Sequence, residues 1–269
     1  MQPLSDFPKD TLKNIRFILT DIDDTLTENG RLPAKSYQAL ERLKQAGLKV
    51  IPITGRPAGW CDQIARMWPV DGVVGENGAF YFIYNSTLRK MRQRYWKNEN
   101  ERAADRKELE QLRKIILDEV EGSSVASDQA FREADLAIDF CEDIPALSQS
   151  AIDQIVNIFE QAGAIAKVSS IHVNGWFGNY DKLSMTRIFF AECFQTDMDL
   201  AQDQIVFCGD SPNDEPMFGF FENSVGVANV LDFVDTMEQQ PCWITKNRTA
   251  SGFVELSEVI LNARSATSI

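Results

Sequence analysis

Over the first eighty residues short apolar runs alternate with amphipathic stretches of helical length, a pattern that predicts βαβ units and a parallel sheet. Arg16 to Asp21 reads as the first strand. Pro33 to Ala46 reads as a helix with Ala39, Leu40 and Leu43 on one face, Pro33 in its first turn and Gly47 at its C-terminal cap. Leu48 to Thr54 is a second buried strand and Pro57 to Met67 a second helix, after which "DGVVGENGAFYF" gives a third strand, a turn and a hairpin-like exit.

Beyond Tyr84 the alternation breaks into a polar, charged stretch. Within the next hundred residues Ala103 to Glu121 carries Leu109, Leu112 and Ile116 on one stripe, and Ser150 to Ala162 carries Ile152, Ile155, Val156 and Phe159 at helical spacing. With "ADLAIDF" and "AIAKVSSIHV" as strands, this segment predicts a small α+β module inserted into the first domain. The α/β rhythm resumes at Asp181, with a helix over Leu183 to Phe194, a strand over Gln204 to Asp210 and a short helix beginning at Pro216. "SVGVANV" and "CWITK" follow as strands and Phe253 to Ala263 as a closing helix. The expected division is a core of residues 1–83 and 181–269 interrupted by a cap of residues 84–180.

Composition narrows the function classes. The chain has 269 residues, 44% of them apolar, and a formal net charge of −13 with no basic run beyond "RKMRQR", which argues against nucleic acid as a partner. No apolar run approaches the length of a membrane span, and the first residues do not read as a signal peptide, so a cytoplasmic location is expected. Five widely spaced cysteines suggest reduced packing residues rather than disulfides or a zinc site. With a single histidine, His172, acid/base chemistry falls mainly to carboxylates.

Those carboxylates cluster where two strands end. Asp21 closes the first strand and Asp210 a later one, and ligands of open parallel sheets bind outside the carboxyl ends of the strands. Asp23, Asp24 and Asp214 lie within a few residues. So many negative charges in one cleft imply a hard divalent cation, and Mg²⁺ suits an all-oxygen site. An EF-hand is excluded because Leu26 stands where that loop needs glycine.

Four signals occur in order: "DIDDTLT" after the first strand, "ITGR" after the second, Lys182 after the inserted module, and "GDSPND" after a later strand. Together they resemble the haloacid dehalogenase superfamily of phosphotransferases, and the inserted module resembles its type IIB cap, found in Cof-like and sugar-phosphate phosphatases. The resemblance implies an α/β Rossmann-like core, Mg²⁺ as cofactor, and a small phosphorylated metabolite, a sugar phosphate, as substrate. It makes Asp21 the nucleophile and Asp23 the acid/base residue whose carbonyl also meets the metal. Thr54 and Lys182 contact the phosphoryl group, and Asp210 and Asp214 complete the metal site. Gly55, Arg56, Asn77, Asn213 and Trp176 are placed with phosphate or substrate, Trp176 either stacking on a sugar or packing the hinge. The alternatives are a phosphomutase, which needs a second phosphate held by cap arginines, and a non-catalytic binding protein on the same fold.

Overall fold

The computed structural model describes residues 1–265. A two-residue strand, Gln2–Pro3 (β1), and a short helix, Lys9–Asn14 (α1), precede the first expected strand, Phe17–Thr20 (β2). Ala34–Gln45 (α2), Lys49–Pro52 (β3), Ala58–Met67 (α3) and Val73–Gly75 (β4) then follow. Pro33 and Pro57 stand just outside α2 and α3 as extended N-caps rather than in their first turns.

Phe80–Asn85 (β5) does not end the sheet. The charged stretch after it forms Lys90–Tyr95 (β6), paired antiparallel to β5 residue for residue. Its arginines hid the strand from the apolar pattern, because Arg92 and Arg94 reach out to Glu192 while their stems lie along the sheet. Glu99–Glu119 (α4) begins four residues earlier than the apolar stripe suggests, because Asn98 and Glu101 form a reciprocal capping box.

Next come Ser124–Val125 (β7), Asp135–Asp139 (β8), Gln149–Gln161 (α5), Ile165–Val168 (β9) and His172–Trp176 (β10). The stretch Ala164 to Val173 is therefore two strands around a turn at Ser169–Ile171. The chain closes with Lys182–Phe189 (α6), Ile205–Gly209 (β11), Glu215–Phe220 (α7), Ser224–Gly226 (β12), Trp243–Ile244 (β13) and Thr249–Ser265 (α8).

The core sheet is parallel throughout, in the order β1-β13-β12-β11-β2-β3, and a parallel bridge between Ile53 and Val74 carries it on to the antiparallel β4-β5-β6. Alternate residues feed two apolar cores. Ile18, Val50 and Val206 pack on the side of α2, α3 and α8, and Leu19, Ile51 and Phe207 on the side of α6 and α7. Both faces are covered, which is why these strands read as unbroken apolar runs.

The inserted cap is a separate antiparallel sheet, β7-β8-β10-β9, backed by α4 and α5 over a third core that includes Ile116, Ile138 and Phe159. Cap and core meet through buried polar contacts. Glu76, in the turn after β4, is fully buried and accepts the main-chain N–H groups of Ala58 (2.9 Å), Glu133 (2.9 Å) and Ala134 (2.6 Å), the last two from the cap. Arg132 of the cap donates to the Gly55 carbonyl at 2.9 Å.

Candidate active site

Register alone brings the first two aspartates together. Thr20 pairs with Cys208 across the parallel neighbours β2 and β11, and Asp21 N donates to Cys208 O at 2.8 Å, so Asp21 and Asp210 leave the same sheet edge side by side. Thr54 leaves the end of β3 on the other side of β2, fully buried, its hydroxyl oxygen accepting Arg56 N at 3.0 Å.

Lys182 arrives from the returning cap connection as the first residue of α6, a helix capped by Asp181, whose carboxylate accepts Ser184 N at 2.7 Å. Its ammonium lies 2.7 Å from Asp21 Oδ1 and 2.6 Å from Asp214 Oδ1, with all three residues buried. This entry angle depends on Gly78, whose φ of +108° favours glycine and whose missing side chain leaves room for the Asp181 carbonyl. Gly209 makes the second close approach. A Cβ there would overlap the Asp214 carboxylate, which folds back so that its Oδ2 accepts Asp210 N at 3.0 Å.

One oxygen from each of Asp21, Asp210 and Asp214 lies within 4.8 Å of the others, the one such buried carboxylate group among the described residues. These carboxylate oxygens make an all-oxygen donor set that would suit Mg²⁺. The electrostatics favour a cation. Burial, then the charges of Asp214 and Asp23, push the Asp21 carboxyl up to about 8 against the opposing pull of Lys182. Burial and the neighbouring Asp21, Asp214 and Asp24 likewise raise Asp210 well above the usual carboxylate range. Lys182, which burial alone would lower, is held above its ordinary value by Asp21 and Asp214. A single ammonium does not balance three buried carboxylates. A hard divalent ion does, and the donor set fits it.

The Asp23 carboxylate is not part of that group. Arg56 grips it instead, with Nε 3.0 Å from both oxygens and Nη2 2.8 Å from Oδ1, while the same guanidinium reaches Asp128 (3.3 Å) and Glu142 (2.8 Å) in the cap. Asp21, Asp23, Gly55, Arg56 and Asn213 share a cavity with the cap residues Arg132, Ser169, Ser170, His172 and Asn174.

Two expected substrate contacts stand elsewhere. Asn77, at φ +53°, donates its main-chain N–H to Thr54 O and packs its amide against Gly55, outside the cavity wall. Trp176 is 1% exposed and does not reach the cavity, which corrects the stacking role. Its ring lies 5.6 Å from that of Tyr180 and its indole N–H donates to the Tyr180 carbonyl at 3.3 Å, so Tyr180 covers the face a sugar would need. Sequence reasoning missed Asn229, whose side chain donates to Asp210 Oδ2 (2.9 Å) and to Asp24 O (3.1 Å). It also missed the cap carboxylates Asp128, Asp135 and Glu142 that tie down the two arginines.

A family model described as haloacid dehalogenase-like hydrolase matches residues 18–134. No curated protein matches in sequence. In fold, the chain is similar to protein 0175 of Thermoplasma acidophilum, with a TM-score of 0.69, 17% identity and coverage of 92% of this chain and 98% of that one. It is also similar to the sucrose-phosphatase of Synechocystis sp. PCC6803, solved with sucrose and phosphate, with a TM-score of 0.60, 16% identity and coverage of 92% and 98%. The subclass IIB sugar phosphatase BT4131 is a third, with a TM-score of 0.59, 12% identity and coverage of 90% and 98%. The fold, a parallel α/β core with an inserted antiparallel cap, is accordingly shared with these structures, and the stretch through the first two motifs matches the haloacid dehalogenase-like hydrolase model. No helix among the described residues is long and apolar enough to cross a membrane.

Proposed function

We propose that the protein is a Mg²⁺-dependent phosphatase that hydrolyses a small phosphorylated metabolite of the sugar-phosphate class in the cytoplasm, through a phosphoaspartate at Asp21. The observation that carries this reading is the meeting of Asp21, Lys182, Asp210 and Asp214 at one sheet edge, with Asp23 two residues on in the same cavity. The fold relatives named for sugar phosphates support the substrate class. The cap is taken to lie within residues 84–180, with the β5-β6 hairpin continuing the core sheet across the first boundary.

The chain's own groups divide the chemistry between them. An Asp21 oxygen attacks phosphorus, and the bond to the leaving oxygen breaks while Asp23 gives that oxygen its proton. Asp23, now a carboxylate, takes a proton from water as the water oxygen attacks the same phosphorus, releasing phosphate and restoring Asp21. Lys182 supplies fixed positive charge beside the attacking oxygen. Thr54 offers its hydroxyl hydrogen to a phosphoryl oxygen, and Asn213 and Gly55 line its seat. Asp21, Asp210 and Asp214 with the Asp23 carbonyl would hold Mg²⁺, which when bound neutralises phosphoryl charge and aligns the displacement.

Arg56 then acts on Asp23 rather than on substrate, since every edge of its guanidinium meets a carboxylate. The decisive measurement is phosphate release from p-nitrophenyl phosphate by purified protein with Mg²⁺, with and without EDTA. Metal-dependent release is expected, with Ca²⁺ a poor replacement. Absence of release, or release undiminished in EDTA, would overturn the proposal.

A further inference from the structure

The Asp23 carboxylate leans on a single side chain. Among the described residues every hydrogen bond to it comes from Arg56, through Nε to both oxygens at 3.0 Å and through Nη2 to Oδ1 at 2.8 Å. Whatever fixes the Arg56 guanidinium therefore fixes where Asp23 stands in the cavity wall.

The core fixes that guanidinium only in part. It lies over the ring of Trp60 in α3, its central carbon 4.4 Å from the ring centroid. Stacking of this kind sets the plane of the group and leaves it free to turn within that plane. Turning is stopped at the edges, where the contacts other than Asp23 are acids of the cap. Nη2 carries two hydrogens, and it serves Asp23 on one side and Glu142 Oε1, at 2.8 Å, on the other. Asp128 meets Nη1 at 3.3 Å but is shared with Arg132, which it meets at 3.1 Å. Glu142 makes the shorter contact, through an oxygen that serves no other group among the described residues.

Glu142 is itself held in place. Asp139, 1% exposed at the end of β8, accepts the main-chain N–H groups of Cys141 (2.9 Å), Glu142 (2.7 Å) and Asp143 (2.9 Å). A carboxylate bonded to three successive N–H groups leaves the loop that carries Glu142 little freedom. Asp139 also pairs with His172 in the register of β8 with β10, and His172 Nε2 lies 2.9 Å from the second Glu142 oxygen, Oε2. The cap thus presents a carboxylate fixed by its own main chain and flanked by its own histidine to an arginine of the core.

We propose that Glu142 is a positioning residue: acting through Arg56, it holds the Asp23 carboxyl where it meets the leaving oxygen, so that the proton-transfer apparatus is complete only with the cap seated on the core. This rests on the phosphatase reading and deepens it. A misplacement of about 1 Å in a reacting group can cost about 10²-fold in rate. A guanidinium shared among three acids supplies direction more than charge, so an amide oxygen at position 142 should serve nearly as well as a carboxylate, and a methyl group should not.

The test is the leaving-group dependence of kcat/KM, which reports the steps through transfer of the phosphoryl group to Asp21. Phenyl phosphate and p-nitrophenyl phosphate have nearly the same shape, but phenolate needs the proton from Asp23 far more than nitrophenolate does. Glu142→Ala is expected to lower kcat/KM for phenyl phosphate by about tenfold or more relative to p-nitrophenyl phosphate, and Glu142→Gln to restore most of the ratio. Both esters are run on one preparation, so the ratio does not depend on the fraction of protein that is folded. In an Asp23→Asn background the same Glu142→Ala substitution should leave the ratio unchanged, as expected of two residues that act as one unit. An unchanged ratio in Glu142→Ala, or an equal fall with and without Asp23, would overturn the inference and leave the phosphatase reading in place. If the parent protein releases phosphate from neither ester, the phosphatase reading falls and this inference with it.

Discussion

Asn229 holds Asp210: its side-chain amide donates to Asp210 Oδ2 at 2.9 Å while its own carbonyl accepts Thr249 N, so the start of α8 and a candidate metal ligand are joined by one side chain. Groups that orient a metal ligand in this way commonly contribute about 10- to 100-fold in affinity. Asn229→Ala is expected to weaken Mg²⁺ binding on that scale, measured by calorimetric titration of the protein without substrate. An unchanged dissociation constant would mean that Asp210 is held well enough by the Thr25 hydroxyl, which donates to its Oδ1 at 3.4 Å, and by its own main-chain N–H on Asp214.

The two aspartates of "DID" should fail differently. Asp21→Asn removes the phosphoryl acceptor and is expected to abolish turnover. Asp23→Asn removes a proton donor and acceptor and is expected to lower kcat by about 10²- to 10⁴-fold. Comparing both variants at saturating Mg²⁺ separates the roles, since recovery of Asp23→Asn by excess metal would reduce Asp23 to a ligand.

Trp176→Ala is expected to act through stability. The residue is fully buried against Tyr180, and removing so large a buried ring typically costs about 3–5 kcal/mol. Denaturant titration should show that loss, and any activity loss should be equal for sugar phosphates and p-nitrophenyl phosphate. A loss confined to the sugar phosphate would restore the stacking role.

The Glu142 contacts should make the closed cap sensitive to acid. Hydrogen bonding to His172 and Arg56 holds the Glu142 carboxyl down to about 2 against the opposing effect of burial. A carboxylate whose folded pKa lies below its ordinary value of 4.5 contributes stability above that value, and the contribution is lost as pH falls from about 4.5 towards 2. Melting temperatures over this window should decline less steeply in Glu142→Gln than in the parent protein. Parallel curves would show that the pairing with Arg56 contributes nothing net.

What the sequence revealed and what it concealed divide along chain distance. Asp21, Asp23, Asp210 and Asp214 were legible because each sits at or beside the end of an apolar strand, and parallel pairing of β2 with β11 does the rest. Asn229 was not, because its contact with Asp210 spans 19 residues and its neighbours in "SVGVANV" read as strand. Trp176 is open to either reading in the sequence, because only the return of the chain at Tyr180, four residues on, covers it. The cap network of Arg132, Asp128 and Asp135 looked like scattered surface charge, since nothing in composition distinguishes a guanidinium in water from one buried between carboxylates. The strand β6 was hidden for the opposite reason, its outward side chains being arginines where an apolar alternation was sought.

Glu76 binds the fates of the two modules together. Its carboxyl, pushed up to about 8 mainly by burial, sits in a dry seam with one core N–H and two cap N–H groups as its donors. Were the cap to melt first, this acid would lose its two cap donors, and the core would be left with a buried polar group to rehydrate. Insertion of a foreign domain usually creates a second unit of unfolding. A shared buried carboxyl works against that, so that heat meets one cooperative molecule where the chain's two sheets suggest a pair.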